Sequence, residues 1–420
     1  MQVLERPPIA VVVQQHAEES AHLRHVRSVL VRAPHVRLRH LRRLDDRIAA
    51  HLDGLAVAGN YGTALCLAAL ERTGTGEVFA LAIRLIDARD QRGLARLIAL
   101  AAALPEAHRG LLSAFGWVSA AQLQGVVQPL LASADAHGRA LGLGACRLHR
   151  VDPGAVLVQA LDPAAPPVLR SAGLRAACEL GRTDLLPHVL AALRDPDPQL
   201  ACEAAVCACL LGDRAEALAA LQDSAATQED ARALLLLAVQ PERGREFVRR
   251  LAKAGADDAA RKRMVIAACG LLGDLQFVPW LVACMEDDVL ARIAGESFSL
   301  LTGADLAALD LERKPPERVP GGPTEDPDDD NVALDPDESL PWPDRARIEP
   351  WWHAHGATLQ AHARCFMGGP PTREHCGAVL REGFQRQRAV AARLLCLQAP
   401  GTALFPLAAP AWRQQRMLAG

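Results

Sequence analysis

The sequence predicts an all-α fold, specifically a right-handed α-solenoid built from stacked helix–turn–helix repeats. The prediction depends on three observations: a glycine-terminated apolar helix that recurs at a fixed spacing, a second apolar helix between successive copies, and Asp or Pro start signals at matching positions. One such hairpin buries too little apolar surface to be stable alone. Stacked neighbours are therefore expected to share one continuous core.

Residues 194–213, RDPDPQLACEAAVCACLLGD, contain one complete copy of the recurring helix. Asp197 is suited to accept a backbone N–H at the helix start, and Pro198 suits the first helical position, where no N–H is needed. Gly212 ends the helix, where a left-handed residue is commonly required. The apolar face follows helical spacing at Leu200, Ala204, Cys207 and Leu211.

The same glycine ending returns elsewhere in the chain. Gly181, Gly212, Gly273 and Gly303 are separated by 31, 61 and 30 residues, so one unit has 30 or 31 residues. The double interval predicts an additional unit whose end falls in the segment VQPERG, near Gly244.

The start signals recur with the same spacing. Asp197, Asp258 and Asp288 each precede their glycine by fifteen residues, and Pro167 occupies the position that corresponds to Pro198. Shorter apolar helices such as DLLPHVLAALRD and LQFVPWLVACMED lie between the glycine-terminated ones. The sequence thus predicts about seven helical hairpins in the repeat array.

The pattern divides the chain into four predicted segments. Residues 1–71 form a helical N-terminal cap, and residues 72–305 form the repeat array. Residues 306–345 form an acidic loop rich in Pro and Gly, and residues 346–420 form a C-terminal helical repeat or cap.

The N-terminal segment is rich in arginine and histidine, which allows two interpretations. One is a basic recognition surface. The other is an amphipathic capping pair of helices whose arginine stems cover apolar surface, and it is preferred because terminal repeats are normally polar. No zinc-like ligand spacing accompanies the histidines. The positions are His22, Arg24, His25, Arg27, Arg32, His35, Arg37, Arg39, His40, Arg42 and Arg43.

The acidic loop contains eight carboxylates within fourteen residues. One interpretation is a solvated linker between the array and the C-terminal helices, and another is an electrostatic patch for a basic protein partner. The candidate partner contacts are Glu325, Asp326, Asp328, Asp329, Asp330, Asp335, Asp337 and Glu338.

A calcium loop is a third interpretation, and the sequence disfavours it. Asp326, Asp328 and Asp330 match the D-x-D-x-D start of such a loop. However, Asn331 stands where the turn glycine belongs, and Asp337 replaces the bidentate glutamate. We therefore predict no metal site and no cofactor.

Trp342, Trp351 and Trp352 follow the acidic loop and are half of the six tryptophans in the chain. Such aromatic anchors are either interface hot spots or residues that dock a segment onto its own domain. Docking is the more common outcome, and Trp342 is also a candidate partner contact because it lies beside the acidic residues.

Composition excludes several classes of function. A net charge of −3 argues against broad coating of nucleic acid, which requires a strong basic excess. The start has no signal-peptide pattern, and no run of about 18 apolar residues predicts a membrane helix. Eleven cysteines without a C-x-x-C pair are typical of a cytoplasmic protein with reduced thiols.

No catalytic motif accompanies the repeats, so the sequence predicts a non-enzymatic protein. It contains neither H-E-x-x-H nor a glycine-rich phosphate loop. An enzyme of the helical-repeat DNA glycosylase type remains an alternative, since it needs an Asp, a Trp and a basic concave face. Trp117 and Trp280 lie in repeat helices, but both are equally suited to a core.

Several segments, taken in order, resemble a proteobacterial HEAT-repeat family found in type VI secretion gene clusters. These segments are LDDRIAAHLDGLAVAG, HRGLLSAFGWV, ESFSLLTGADL, LPWPD followed by WW, and GFQRQRAVAA. The resemblance spans nearly the whole chain and implies a genetic neighbourhood of secreted toxins, including nucleases.

The resemblance implies an immunity protein that binds and neutralises a cognate toxin, which is expected to be basic and nuclease-like. The acidic residues and Trp342 are then the candidate toxin contacts, with no direct contact to nucleic acid or membrane expected. A non-inhibitory scaffold or adaptor of the secretion apparatus shares the same sequence features and remains the main alternative.

Overall fold

The computed structural model describes residues 7–253, 258–317, 335 and 337–419. Within these ranges the protein is built from α-helices and short 3₁₀ turns and has no β-strand, which confirms the all-α prediction.

The helices are numbered in chain order. They are α1 (Ala10–Leu30), α2 (Leu38–Val57), α3 (Gly59–Ala68), α4 (Thr75–Asp87), α5 (Gln91–Ala103), α6 (Pro105–Trp117), α7 (Val127–Leu131), α8 (Ala136–His149), α9 (Ala155–Ala160), α10 (Pro167–Leu180), α11 (Leu186–Ala191), α12 (Pro198–Leu210), α13 (Glu216–Ser224), α14 (Glu229–Ala238), α15 (Pro241–Lys253), α16 (Ala259–Leu272), α17 (Val278–Cys284), α18 (Ala291–Thr302), α19 (Arg345–Leu359), α20 (Arg373–Glu382), α21 (Gln385–Gln398) and α22 (Ala411–Ala419). The 3₁₀ turns are Ala69–Arg72, Thr183–Leu185, Ala192–Arg194 and Leu275–Phe277.

The chain divides into two compact units. The first comprises Met1–Cys207 together with Gly401–Gly420, and the second comprises Ala208–Pro400. The predicted segment boundaries after residues 71, 305 and 345 stay predictions. The last residues of the chain belong to the first unit, because they pack with the beginning of the chain.

In the first unit, α4, α6, α8 and α10 pack in succession, each against the next. Their core includes Phe79, Leu111, Phe115 and Leu141, each of which is completely buried. Truncation of one such leucine to alanine generally costs about 2–5 kcal/mol, because the cavity left behind adds to the lost burial. Packing between successive helices therefore contributes to the stability of this unit.

The N-terminal helices belong to the same core, since α1 packs against both α2 and α4. Arg27 is only 5% exposed, and its guanidinium donates to Asp45 at 2.6 Å. The same group donates to the backbone carbonyls of Ala408 and Ala409, each at 2.9 Å. Arg27 therefore fits the interpretation as part of a capping helix pair, because its hydrogen bonds are made to residues of the same unit.

In the second unit, α14, α16 and α18 form a similar succession. Ile266, Leu272, Phe298 and Leu301 are completely buried between them, and Ile348 of α19 completes the core. α20 packs on α21.

The predicted glycine endings are confirmed. Gly181, Gly212, Gly273 and Gly303 have φ angles of +72°, +116°, +78° and +72°, the left-handed region that glycine enters without a steric penalty. Pro167 begins α10, as its predicted position requires.

Two of the three predicted aspartate start signals are confirmed. Asp258 and Asp197 each accept a hydrogen bond from the backbone N–H two residues further on, at 3.0 Å and 2.9 Å. The prediction for Asp288 is wrong, because α18 begins only at Ala291. The carboxylate of Asp288 pairs instead with Arg313 at 2.5 Å.

Gly244 does not end a helix, which corrects the prediction for the additional unit. α14 ends at Ala238, and Gly244 lies inside α15. A Cβ at this glycine would collide with the side chain of Leu272, so the glycine permits close packing of α15 on α16. The carbonyl groups at the end of α14 accept hydrogen bonds from Arg364 instead.

In the second unit, the segment that follows α19 passes the C-terminal ends of α16 and α18. The N–H of Cys365 donates to the carbonyl of Gly273 at 2.7 Å, and the N–H of Met367 donates to the carbonyl of Leu300 at 2.7 Å. These bonds satisfy carbonyl groups that a helix end leaves without an intrahelical partner.

In the first unit, the last residues of the chain have the same role. The N–H of Leu404 donates to the carbonyl of Glu179 at 3.1 Å, and Arg413 donates to the carbonyl of Val118 at 3.0 Å. The C-terminal segment therefore stabilises the ends of α10 and α6.

Candidate functional site

The acidic excursion between α18 and α19 is closed at its base. The N–H of Arg313 donates to the carbonyl of Trp342, and the N–H of Asp344 donates to the carbonyl of Leu311, both at 2.8 Å. This antiparallel pairing brings together the two ends of residues 314–341. The two ends of the excursion therefore lie side by side, so the excursion is a closed loop. A linker between the array and the C-terminal helices would instead join two separate places.

Two arginines, on α16 and α18, hold the returning end of this loop. Arg263 of α16 donates to both carboxylate oxygens of Asp337 at 2.6 Å, and Asp337 is only 3% exposed. Arg292 of α18 donates to the carboxylate of Asp335 at 2.5 Å and to the backbone carbonyl of Asp337 at 3.0 Å. Bidentate arginine–carboxylate pairs combine strong hydrogen bonds with a fixed orientation.

Trp342 packs between two cations. Its indole ring lies 4.6 Å from the guanidinium carbon of Arg292 and 5.3 Å from that of Arg313, measured to the ring centroid. The side chain is buried, so the cation–π contacts are shielded from water and correspondingly stronger. We call these residues the anchor cluster: Arg263, Arg292, Arg313, Asp335, Asp337 and Trp342.

Hydrogen bonds and burial shift the pKa values of charged side chains in and around the anchor cluster. The hydrogen bonds from Arg263 to Asp337 raise the pKa of this arginine. On the neighbouring turn of α18, burial raises the pKa of Glu296, and Arg386 opposes that shift through an ion pair of 2.8 Å. The cluster is therefore a set of paired charges.

The predicted contact residues have different positions in the structure. Asp335 and Asp337 are engaged by arginines, Trp342 is buried, and Glu338 is exposed. The prediction of toxin binding for the remaining residues stays a prediction, because Glu325, Asp326, Asp328, Asp329 and Asp330 lie outside the described residues.

Sequence reasoning did not identify the arginine partners of the cluster. Arg263 and Arg292 lie 74 and 43 residues before the carboxylates that they bind. Nothing in the local pattern connects such distant positions, and both arginines look like ordinary polar positions of repeat helices.

Most of the tryptophans considered in the sequence are docked within their own unit. Trp351 and Trp352 contact Phe298 with ring centroids 5.8 Å and 6.5 Å apart, and Trp117 contacts Phe79 at 5.6 Å. These edge contacts favour the docking interpretation over free hot spots. Trp280 differs, since 39% of its surface is exposed.

Within the described residues, no group of three or more His, Cys, Asp or Glu side chains is arranged to hold a metal ion. Asp337, which would be the last ligand of the calcium loop considered above, instead forms an ion pair with Arg263. In the same part of the chain, every helix is too short or too polar to cross a lipid bilayer.

Comparison of the chain with models of known families, with curated proteins and with solved structures finds no match.

Proposed function

We propose that the helical hairpins form a right-handed α-solenoid of HEAT-like repeats, and that the protein is a non-enzymatic immunity protein. It would bind a cognate type VI-secreted toxin in the cytoplasm of the producing cell. The solenoid proposal is supported by the successive packing of α4, α6, α8 and α10 in one unit and of α14, α16 and α18 in the other. Recurrent left-handed glycines at helix ends are a second support.

The observation that carries the binding proposal is the anchored, closed base of the acidic loop. A loop whose ends are paired and whose returning end is held by Arg263 and Arg292 loses less conformational freedom when it docks. Its acidic sequence complements a basic surface such as the DNA-binding face of a nuclease. A protein partner that presents such a surface is therefore the best fit.

The test uses the purified full chain and the toxin encoded beside its gene. We expect a stable complex in which toxin activity is lost, together with rescue of cells that express the toxin. The replacement of Asp328, Asp329 and Asp330 by asparagine should slow association and reduce its dependence on salt, because long-range attraction is what these charges add.

A matched control removes three exposed acidic charges elsewhere, by the substitutions Asp223→Asn, Glu246→Gln and Glu374→Gln. This control should associate at the wild-type rate. A complex that leaves the toxin fully active would contradict the immunity proposal and indicate an adaptor. Equal association rates for the loop variant and the control would remove the loop from the mechanism.

A further inference from the structure

The second unit contains a groove whose charge is opposite to that of the acidic loop. It has a volume of about 430 Å³ and is formed by α15, α16, α17 and the turn before α18. Small and apolar side chains alternate in it with charged ones. Its lining includes Arg261, Lys262, Val265, Trp280, Asp287 and Leu290.

The wall of the groove carries an exposed aromatic ring. Trp280 is 39% exposed, whereas Val265 and Leu290 beside it are 4% and 5% exposed. An indole next to a buried apolar floor is the arrangement by which protein surfaces hold one large apolar side chain of a partner.

The rim of the groove is basic. Arg261 and Lys262 form no ion pair with any described residue, and neither do Arg249 and Lys253 on the adjacent turn of α15. Burial lowers the pKa of Arg232 on α14, and the positive charge of Arg261 adds to that shift. Two cations, Arg261 and Lys262, therefore line the groove without an ion pair to any described carboxylate, in a protein whose net charge is −3.

One acidic side chain lines the groove as well. Asp287 accepts a hydrogen bond from the N–H of Val289 at 3.0 Å through Oδ1, and its Oδ2 has no partner among the described residues. A peptide backbone supplies N–H donors for such an oxygen. A phosphodiester backbone supplies none. This difference favours a peptide over nucleic acid.

We propose that this groove binds an acidic peptide segment of a protein partner, in which a large apolar side chain is flanked by carboxylates. The apolar side chain packs against Trp280 over Val265 and Leu290. The flanking carboxylates pair with Arg261 and Lys262. The proposal does not depend on the function proposed above, since the acidic loop selects a basic surface and this groove selects an acidic one.

The test measures binding of a short fluorescein-labelled peptide, with Glu residues on both sides of a Leu-Phe pair, to the full chain by fluorescence anisotropy. We expect saturable binding that weakens with salt. The double variant Arg261→Gln/Lys262→Gln should bind about tenfold more weakly with a flatter salt dependence, because it removes two partly exposed ion pairs with the peptide. Trp280→Ala should also lose about tenfold in affinity.

A matched control is the double variant Arg92→Gln/Arg96→Gln, which removes two exposed arginines of α5 in the other unit. This control should bind the peptide as the wild type does, and Trp280→Phe should retain part of the affinity lost in Trp280→Ala. The proposal is overturned if the peptide does not bind, or if a peptide with Lys in place of Glu binds equally well. It is also overturned if single-stranded DNA displaces the peptide from the groove.

Discussion

Arg263 and Asp337, 74 residues apart in sequence, form a bidentate ion pair with both hydrogen bonds at 2.6 Å. The aspartate is almost fully buried and the arginine is half-buried. This pair fixes the returning end of the acidic loop on α16, so it connects the stability of the second unit to the position of the loop.

Removal of one partner should therefore destabilise the second unit. Asp337→Ala leaves a half-buried arginine without its counter-ion, and we expect the free energy of unfolding to fall by about 3 kcal/mol. Urea unfolding followed by tryptophan fluorescence measures this loss. Glu338→Ala, at the exposed neighbouring position, should change the same quantity by less than about 0.5 kcal/mol. Equal midpoints for the two variants would show that the loop end is not anchored.

Gly273 and Gly125 offer a matched pair of left-handed positions, with φ angles of +78° and +80°. A Cβ at Gly273 would lie 2.6 Å from the carbonyl oxygen of Cys365, whereas at Gly125 it would meet no described atom within 4 Å. Gly125→Ala should cost about 1–2 kcal/mol of backbone strain alone. Gly273→Ala should cost clearly more, because it also displaces the segment that contains Cys365. Thermal unfolding of both variants tests this order, and the reverse order would contradict it.

Arg364 should act as the cap of α14. It donates to the backbone carbonyls of Leu237 and Val239 at 2.5 Å and 2.6 Å. By contrast, α10, α16 and α18 each end at a left-handed glycine. Arg364→Ala leaves these carbonyls without a donor, and we expect a loss of about 1–3 kcal/mol in unfolding free energy. Arg364→Lys should recover part of this loss, since an ammonium group reaches fewer acceptors. Hydrogen exchange should quicken at the end of α14 in the alanine variant, and unchanged exchange there would contradict the capping role.

The first unit should become less stable in mild acid. The Nδ1 atoms of His16 and His51 lie 3.0 Å apart, so only one proton fits between them. Burial, and then the proximity of His16, lowers the pKa of His51 below its ordinary value of 6.5. The unfolded chain therefore binds a proton more readily than the folded one, and stability is lost as pH falls below about 6.5.

The measurement is the midpoint of urea unfolding at pH 7.5 and pH 5.5. The decrease between these values should be smaller in His51→Gln than in the wild type, because the variant no longer gains a proton on unfolding at this position. His22→Gln, at an exposed position outside the His16–His51 pair, serves as the comparison. An identical decrease in His51→Gln and the wild type would rule out a role for this histidine pair.

The glycine-terminated helices were largely predictable from the sequence. Gly181, Gly212, Gly273 and Gly303 end helices as predicted, because a left-handed residue is a requirement of the local backbone. Gly244 shows the limit of this reasoning. This glycine fits the repeat spacing, but its role is to permit close packing against Leu272. Contacts with another helix cannot be inferred from a local sequence pattern.

The candidate site was predictable only in part. The acidic loop and Trp342 are evident from composition, yet the sequence does not reveal that Asp335 and Asp337 serve as its anchors. Arg263 is separated from Asp337 by α17, α18 and much of the loop, and Arg292 is separated from Asp335 by most of α18 and much of the loop. Ion pairs between positions so distant depend on which helix faces meet, and that is decided only when the core forms.

The sequence by itself determined that this protein consists of helices of a given length, apolar face and ending, because these features follow from residues within a few turns of one another. Only the tertiary structure decided that the acidic excursion is a closed loop, that Arg364 replaces a glycine cap, and that the chain's last residues pair with its first helices. The physical reason is that these contacts join residues brought together by packing, for which neither spacing nor composition leaves a local signal.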